Sequence, residues 1–271
     1  MISIITPVYN GARFIESCIG NVISQQCHDV EHIIVDGGST DATVSIIRSC
    51  ADRYPHLRWI SEPDRGQSDA MNKGLALARG EIVGVLNVDD FYQPDVLKRV
   101  SRLFKEVGEP TMLVGNCNVW NDDGDLLYVA RPSRLKFQQL MVGPRLNLYP
   151  VNPSEYFYHR SLHDRVGYFD VEDHYSMDLD FLLRAVQAAD VRYFDETWGN
   201  FRLIKGTKTL SDQDSNQDRP RYCKVLDKYY PQLPWQVRKF FWLYTAGQAA
   251  HLLFRHGVSR LRAGIWRRAI K

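Results

Sequence analysis

Apolar residues fall in two alternating rhythms along the first hundred positions. Short unbroken runs have the length and β-branching of buried strands: Ile2 to Thr6, "VEHIIVD" (Val30 to Asp36), "LRWIS" (Leu57 to Ser61) and "EIVGVLN" (Glu81 to Asn87). Helical spacing fills the gaps. Ile15, Cys18, Ile19, Val22 and Ile23 make one apolar stripe, and Val44 and Ile47 mark a second helix, for which Ser39 or Thr40 is the expected cap. "DRGQSDAMNKGLALAR" feeds a third helix that runs through Ala78. "QPDVLKRVSRLFKEV" reads as a fourth, with Pro94 near its start. This alternation with short connections predicts an α/β fold, a mainly parallel central sheet with helices on both faces. Ligands on such sheets bind at the carboxyl ends of the strands. Three such ends, "TPVYN", "VDGGSTD" and "NVDD", carry polar or glycine residues where the apolar run stops.

After Glu109 the rhythm changes. "TMLVGNCNVW", the "NDDG" turn and "DLLYVA" predict an antiparallel hairpin. Residues 131–160 read as irregular. "SMDLDFLLRAVQAA" predicts a helix, "DVRYFD" a strand and "WGNFRL" another. The polar, proline-bounded run Ser211 to Pro220 is the expected boundary between a catalytic domain, 1–212, and a helical extension, 213–271.

Composition narrows the setting. The 271 residues are 44% hydrophobic, enough for one sizeable core, and a net charge of +2 selects no acidic partner. Cys18, Cys27, Cys50, Cys117 and Cys223 are scattered without zinc spacing, so a reducing compartment is expected. No basic leader and no apolar run of about 20 residues is present, so neither a signal peptide nor a spanning helix is expected. Asp227 is the last acidic residue, and Arg238, Lys239, Arg255, Arg260, Arg262, Arg267, Arg268 and Lys271 follow it. Phe254, Val258, Leu261 and Ile265 form one helical stripe among these charges. A basic, aromatic amphipathic segment suits the headgroup region of an anionic membrane. Residues 235–271 are therefore expected to hold the protein peripherally at the inner, cytoplasmic face. Packing on the catalytic domain or in a dimer is the alternative, and no nucleic-acid motif appears.

The chemistry concentrates at "NVDD". Two adjacent carboxylates at a ligand edge raise each other's pKa unless a cation compensates. An oxygen-liking divalent ion, Mg²⁺ or Mn²⁺, is the natural partner, and it takes its other ligands from phosphate and water. The expected ligand is a metal-bound diphosphate.

Taken in order, "ISIITPVYNG", "HIIVDGGSTD", "GQSDAMNKGLALARGEIVGVLNVDD" and "DLDFLLR" resemble family 2 glycosyltransferases of the GT-A fold, over roughly residues 1–210. The resemblance implies an inverting transferase that moves a sugar from a nucleotide diphosphate, a UDP-sugar foremost, to a hydroxyl of a saccharide or lipid-linked saccharide acceptor. It places Thr6, Pro7 and Tyr9 along the nucleotide and Asp36 on the uracil or ribose. Asn87 and Asp89 stand at the two ends of the family's D-x-D motif. Asn87 replaces the first aspartate, which leaves Asp89 as the principal metal ligand. Gly37 replaces a second aspartate that the family often carries. Asp69 and Lys73, at the start of the third helix, are expected near sugar hydroxyls or phosphate. Asp178 falls on the position of the catalytic base, with Met177 in place of the usual glutamate, and Asp180 is expected to pair with Arg184. Arg202 and Lys205, or Lys208, would meet the diphosphate from a glycine-bearing loop.

Two other classes stay open. A nucleotidyltransferase also binds nucleotides and Mg²⁺ on an α/β sheet, although "TPVYNGARF" offers only Gly11 and Arg13 as a phosphate loop. Asn87 and Met177 are the features of a decayed, membrane-bound interaction protein on the same scaffold. His159, His163 and His174 lack metal spacing and read as locally hydrogen-bonded, and Trp198 reads as a packing residue.

Overall fold

The structure, a computed structural model, describes residues 1–142, 149–207, 210 and 218–239. Strands and helices alternate through the first hundred residues: β1 (Ile2–Val8), α1 (Ile15–Ser24), β2 (Val30–Asp36), α2 (Thr43–Ala51), β3 (Leu57–Ser61), α3 (Gln67–Leu77), β4 (Ile82–Val85), β5 (Phe91–Tyr92) and α4 (Val96–Phe104). Then come β6 (Thr111–Trp120), β7 (Leu126–Ala130), α5 (Phe137–Met141), β8 (Tyr156–His159), α6 (Leu162–Val166), α7 (Met177–Ala188), β9 (Asp190–Arg202) and α8 (Asp218–Tyr229).

The sheet runs β3-β2-β1-β4-β8-β6-β9-β5, with β7 on the side of β6. From β3 to β4 every pair is parallel; Ile5 lies opposite Ile33 on one side and Val85 on the other. β8 is antiparallel to both β4 and β6, while β6 and β9 are parallel. The carboxyl ends of β1, β2, β4, β6 and β9 therefore share one edge, and β8 enters the sheet from that same edge. Val8, Asp36, Asn87, Trp120 and Arg202 come together by topology alone.

Apolar side chains seal both faces. Ile19, Ile34 and Ile47 pack between α1, α2 and the sheet, and Ile33, Val35 and Ala70 pack beneath α3. Trp198 is buried as expected, its ring 6.0 Å from that of Phe157.

Three expectations are corrected. Residues 131–160 are not wholly irregular: they hold α5, a 3-10 turn at Pro153–Glu155 and β8, a central strand. All four residues of β8 are buried, so no alternation marks it. "DVRYFD" and "WGNFRL" are one strand, β9, which follows β6 through two register shifts. Neither Ser39 nor Thr40 caps α2; Asp41 Oδ1 accepts the Thr43 amide at 2.9 Å instead.

The chain divides into two compact units, Met1–Leu226 and Asp227–Lys271. In the second, the Tyr230 hydroxyl donates to the Arg238 carbonyl at 3.1 Å. The stripe Phe254, Val258, Leu261 and Ile265 lies outside the described residues, as does Lys208. No helix among the described residues is long and apolar enough to cross a membrane.

Candidate active site

β4 ends in a tight turn, with the Asp90 amide donating to the Asn87 carbonyl at 3.0 Å. The turn gives its two aspartates opposite surroundings. Asp89 is partly exposed, and its carboxylate accepts only its own amide. Burial lifts its pKa, and the Arg202 guanidinium pulls it back. Asp90 is 2% exposed and accepts three bonds: from Asn152 Nδ2 at 2.7 Å, Asn87 Nδ2 at 3.1 Å and the Arg202 amide at 3.0 Å. Burial first, and then the charge of Asp89, push the Asp90 carboxyl well above the usual range. The expectation that both carboxylates await one cation is thus corrected. Asp90 is satisfied by protein donors, and Asp89 alone remains open.

Among the described residues no group of three or more His, Cys, Asp or Glu side chains gathers to enclose an ion. One open carboxylate nevertheless fits Mg²⁺ or Mn²⁺ of the kind completed by substrate phosphates and water. The donor is a hard oxygen, and among the described residues no protein cation is bonded to it.

On the β1 side, Thr6 and Pro7 are corrections. Both are buried. Thr6 Oγ1 sits 2.9 Å from His32 Nε2 inside the core, where burial keeps His32 neutral, its pKa pushed down to about 3. Tyr9, 63% exposed, is the one of the three at the surface. Asp36 is also buried and organises its turn: Oδ2 accepts from the Gly38 and Ser39 amides and from Ser61 Oγ, and Oδ1 from Ser39 Oγ. Asp36, expected on the uracil or ribose, thus forms the turn that ends β2. These four bonds fill the usual acceptor capacity of a carboxylate. A Cβ built on Gly37 would collide with the Asp64 carboxylate, so Asp64 fills the place of the aspartate missing from position 37.

At the start of α3, Asp69 and Lys73 belong to one charge cluster. Lys73 Nζ lies 2.8 Å from Glu62, 2.9 Å from the Pro63 carbonyl and 3.7 Å from Asp69. Gln67 Nε2 donates to Asn87 Oδ1 at 2.9 Å. Ser68 Oγ donates to the Asp173 carbonyl at 2.9 Å, and the His174 ring abuts Gly66, whose φ of +115° suits only glycine. These contacts dock the loop before α7 onto the start of α3, which Gln67 also ties to Asn87.

Asp178 stands in the first turn of α7. The residue is only partly covered, but its Oδ1 is sealed and has no hydrogen-bond partner among the described residues. Burial, reinforced by the charge of Asp173, pushes its pKa up to about 6. Asp180 pairs with Arg184 at 2.9 Å, as the spacing predicts.

Arg202 ends β9 with its guanidinium 4.8 Å over the Phe91 ring. It borders an open hollow of about 370 Å³, with Arg13, Trp120 and Asp122 on the walls. Lys205 is exposed farther out, its amide 3.5 Å from Asp122. Gln67, Asp173 and Asn152 are missed by sequence reasoning. Only Gln67 left a signal, as part of "GQSDAMNKG".

Comparison with known proteins identifies the family and the fold. The family model described as Glycosyl transferase family 2 matches residues 3–167. A chondroitin synthase of Pasteurella multocida (strain Pm70) is 27% identical over 83% of this chain, which spans 23% of that protein. The chain thus covers less than two thirds of two such curated relatives, 59% of one and 23% of the other. Among solved structures, S. aureus TarS 1-349 in complex with UDP-GlcNAc superposes with a TM-score of 0.64 at 20% identity, covering 78% of this chain and 60% of that one. A mannosyltransferase from Pyrobaculum calidifontis in complex with GDP-Man and Mn²⁺ gives 0.56 at 21% identity, covering 95% and 79%.

Proposed function

The chain belongs to glycosyl transferase family 2 and has the GT-A fold, and on that premise we propose that it transfers a sugar from a UDP-sugar to an acceptor hydroxyl with inversion. Membership sets aside the nucleotidyltransferase alternative. One observation carries the mechanistic reading. Asp178 has a buried carboxylate oxygen with no hydrogen-bond partner among the described residues, in a helix whose preceding loop docks at the start of α3, where Gln67 bonds Asn87 of the Asp89 turn.

In a single displacement the acceptor oxygen bonds to the anomeric carbon as the bond to the diphosphate oxygen breaks. Asp178 receives the acceptor's proton. Its raised pKa keeps it ionised at neutral pH yet basic enough to assist. A divalent cation held by Asp89, Mn²⁺ or Mg²⁺, would supply charge stabilisation to the departing nucleoside diphosphate. Arg202, with no carboxylate paired to it among the described residues, meets the diphosphate, and Lys205 approaches it from outside. Tyr9 flanks the base, Asp36 holds the turn beside it, the second amide proton of Asn87 meets a nucleoside group, and Asp69 and Lys73 border the sugar. The complexes named in the comparisons, with UDP-GlcNAc and with GDP-Man and Mn²⁺, support this class of donor and cation.

The acceptor belongs to a cell-surface polysaccharide or lipid-linked oligosaccharide. The chondroitin synthase supports the first, and the basic, carboxylate-free stretch beyond Asp227 supports work at the cytoplasmic face of an anionic membrane. Proton NMR of the product tests the stereochemistry. An anomeric configuration opposite to the donor's is expected, and a retained one would refute Asp178 as base in a single displacement.

A further inference from the structure

Asp89 is partly exposed on a turn of four residues, yet three other segments fix that turn. Asn152 is 3% exposed and lies just before β8. Its Nδ2 donates to Asp90 Oδ2 at 2.7 Å, and its Oδ1 accepts from the Ser154 amide at 2.9 Å and from Ser154 Oγ at 2.6 Å. Its own amide, with that of Val151, donates to the buried Glu155 carboxylate at 3.0 and 2.5 Å. Asp90 passes the restraint in two directions. Through Oδ1 it holds the Arg202 amide at the end of β9, and through Oδ2 it takes one amide proton of Asn87. Asn87 in turn accepts from Gln67 at the start of α3. The chain Gln67–Asn87–Asp90–Asn152 crosses the site beneath Asp89, and a branch reaches Arg202. Asp90 and Asn152 are too deeply buried to touch a ligand.

We propose that Asn152 and Asp90 are positioning residues: a buried hydrogen-bonded bolt that sets the Asn87 amide, the Asp89 turn and the Arg202 backbone in the arrangement the donor needs. Its bearing on the reaction rests on the transferase reading above. The bolt itself rests on geometry. Buried polar networks of this kind hold their members strictly, because an unpaired group in a low-dielectric interior is costly.

Asn152 has two jobs, which two substitutions separate. Asn152→Asp keeps an oxygen for Ser154 but sets a carboxylate against Asp90. Asn152→Ala removes both bonds and adds no charge. If Asn152 only shapes its turn, alanine is the more harmful. If it is the bolt, aspartate is. Two carboxyls pressed together resist joint ionisation, so hydrogen exchange of the full-length chain should be faster at 86–92 and 200–204 in Asn152→Asp than in Asn152→Ala. The order should reverse at the Ser154 amide. Steady-state kinetics with UDP-sugar and Mn²⁺ should show the donor KM raised roughly tenfold or more in Asn152→Asp, with a smaller change in Asn152→Ala. Equal exchange at 200–204 in both variants and wild type, or alanine exceeding aspartate there, overturns the bolt. Altered exchange with an unchanged donor KM overturns its positioning role. A wild-type chain that turns over no sugar nucleotide defeats the functional reading instead, and the exchange order alone then decides the bolt.

Discussion

The Asp64 carboxylate occupies the space that a side chain on Gly37 would need. Its Oδ1 also accepts the Gly66 amide at 2.8 Å, so Asp64 is tied to the loop that opens α3 and cannot simply swing away. Gly37→Asp should therefore press two carboxylates together beside Asp36 and destabilise the fold by about 1–3 kcal/mol. Asp64→Gly in the same chain should recover much of that loss. Thermal melts of the two single variants and the double variant form a cycle, and simple additivity would contradict the contact.

Asp178 links activity to stability. The native chain holds a proton on this carboxyl up to about pH 6, where the unfolded chain has already lost it. Between the ordinary carboxylate range and pH 6 the native state binds more protons, so stability falls as pH rises through that window. Asp178→Asn removes the buried charge and should raise stability at neutral pH by about 1–3 kcal/mol. The same change should lower turnover by about 10²–10⁴-fold. In the wild type, kcat/KM should decline as pH drops below about 6. Melting curves and a pH–rate profile of the two proteins check both signs.

Thr6 offers a test of a correction. Its hydroxyl faces His32 in the core, not the ligand edge. Thr6→Val should lose about 1–3 kcal/mol of stability by stranding a buried ring nitrogen. The donor KM should stay within about twofold, an effect below 0.5 kcal/mol. A large rise in KM with unchanged stability would return Thr6 to the binding site.

Arg202 stacks on Phe91 and faces no paired carboxylate among the described residues. Arg202→Ala should weaken nucleoside diphosphate binding about tenfold or more, as expected for losing a charge-assisted contact to phosphate. Arg202→Lys should recover only part of it, because lysine keeps the charge but not the planar fork or the stacking. Calorimetric titration with UDP and Mn²⁺ measures both.

How much of this was legible in the residues follows from where each signal sits. From β1 to α4, strand and helix periods alternate cleanly, so Val30–Asp36 and Leu57–Ser61 are read to the residue. β8 escapes because Tyr156–His159 is buried on every side and shows no alternation. β9 looks like two strands because its pairing with β6 shifts register near Asn116. The motifs locate the rim but not which side chains open onto it. "TPVYN" contains the buried Thr6 and the exposed Tyr9, and "VDD" contains the open Asp89 and the sealed Asp90. Asn152 bonds Asp90 across 62 positions of chain, a distance over which no local pattern carries information.

Release of nucleoside diphosphate from a UDP-sugar in the presence of Mn²⁺ tests the centre of the site most directly, measured on the wild type and on Asp89→Ala. The wild type should release it, a chelator should stop it, and the variant should lose at least about 100-fold, as expected when charge stabilisation of the leaving group is removed. Release by Asp89→Ala at the wild-type rate would contradict the assignment of Asp89 and, with it, the site built around that carboxylate.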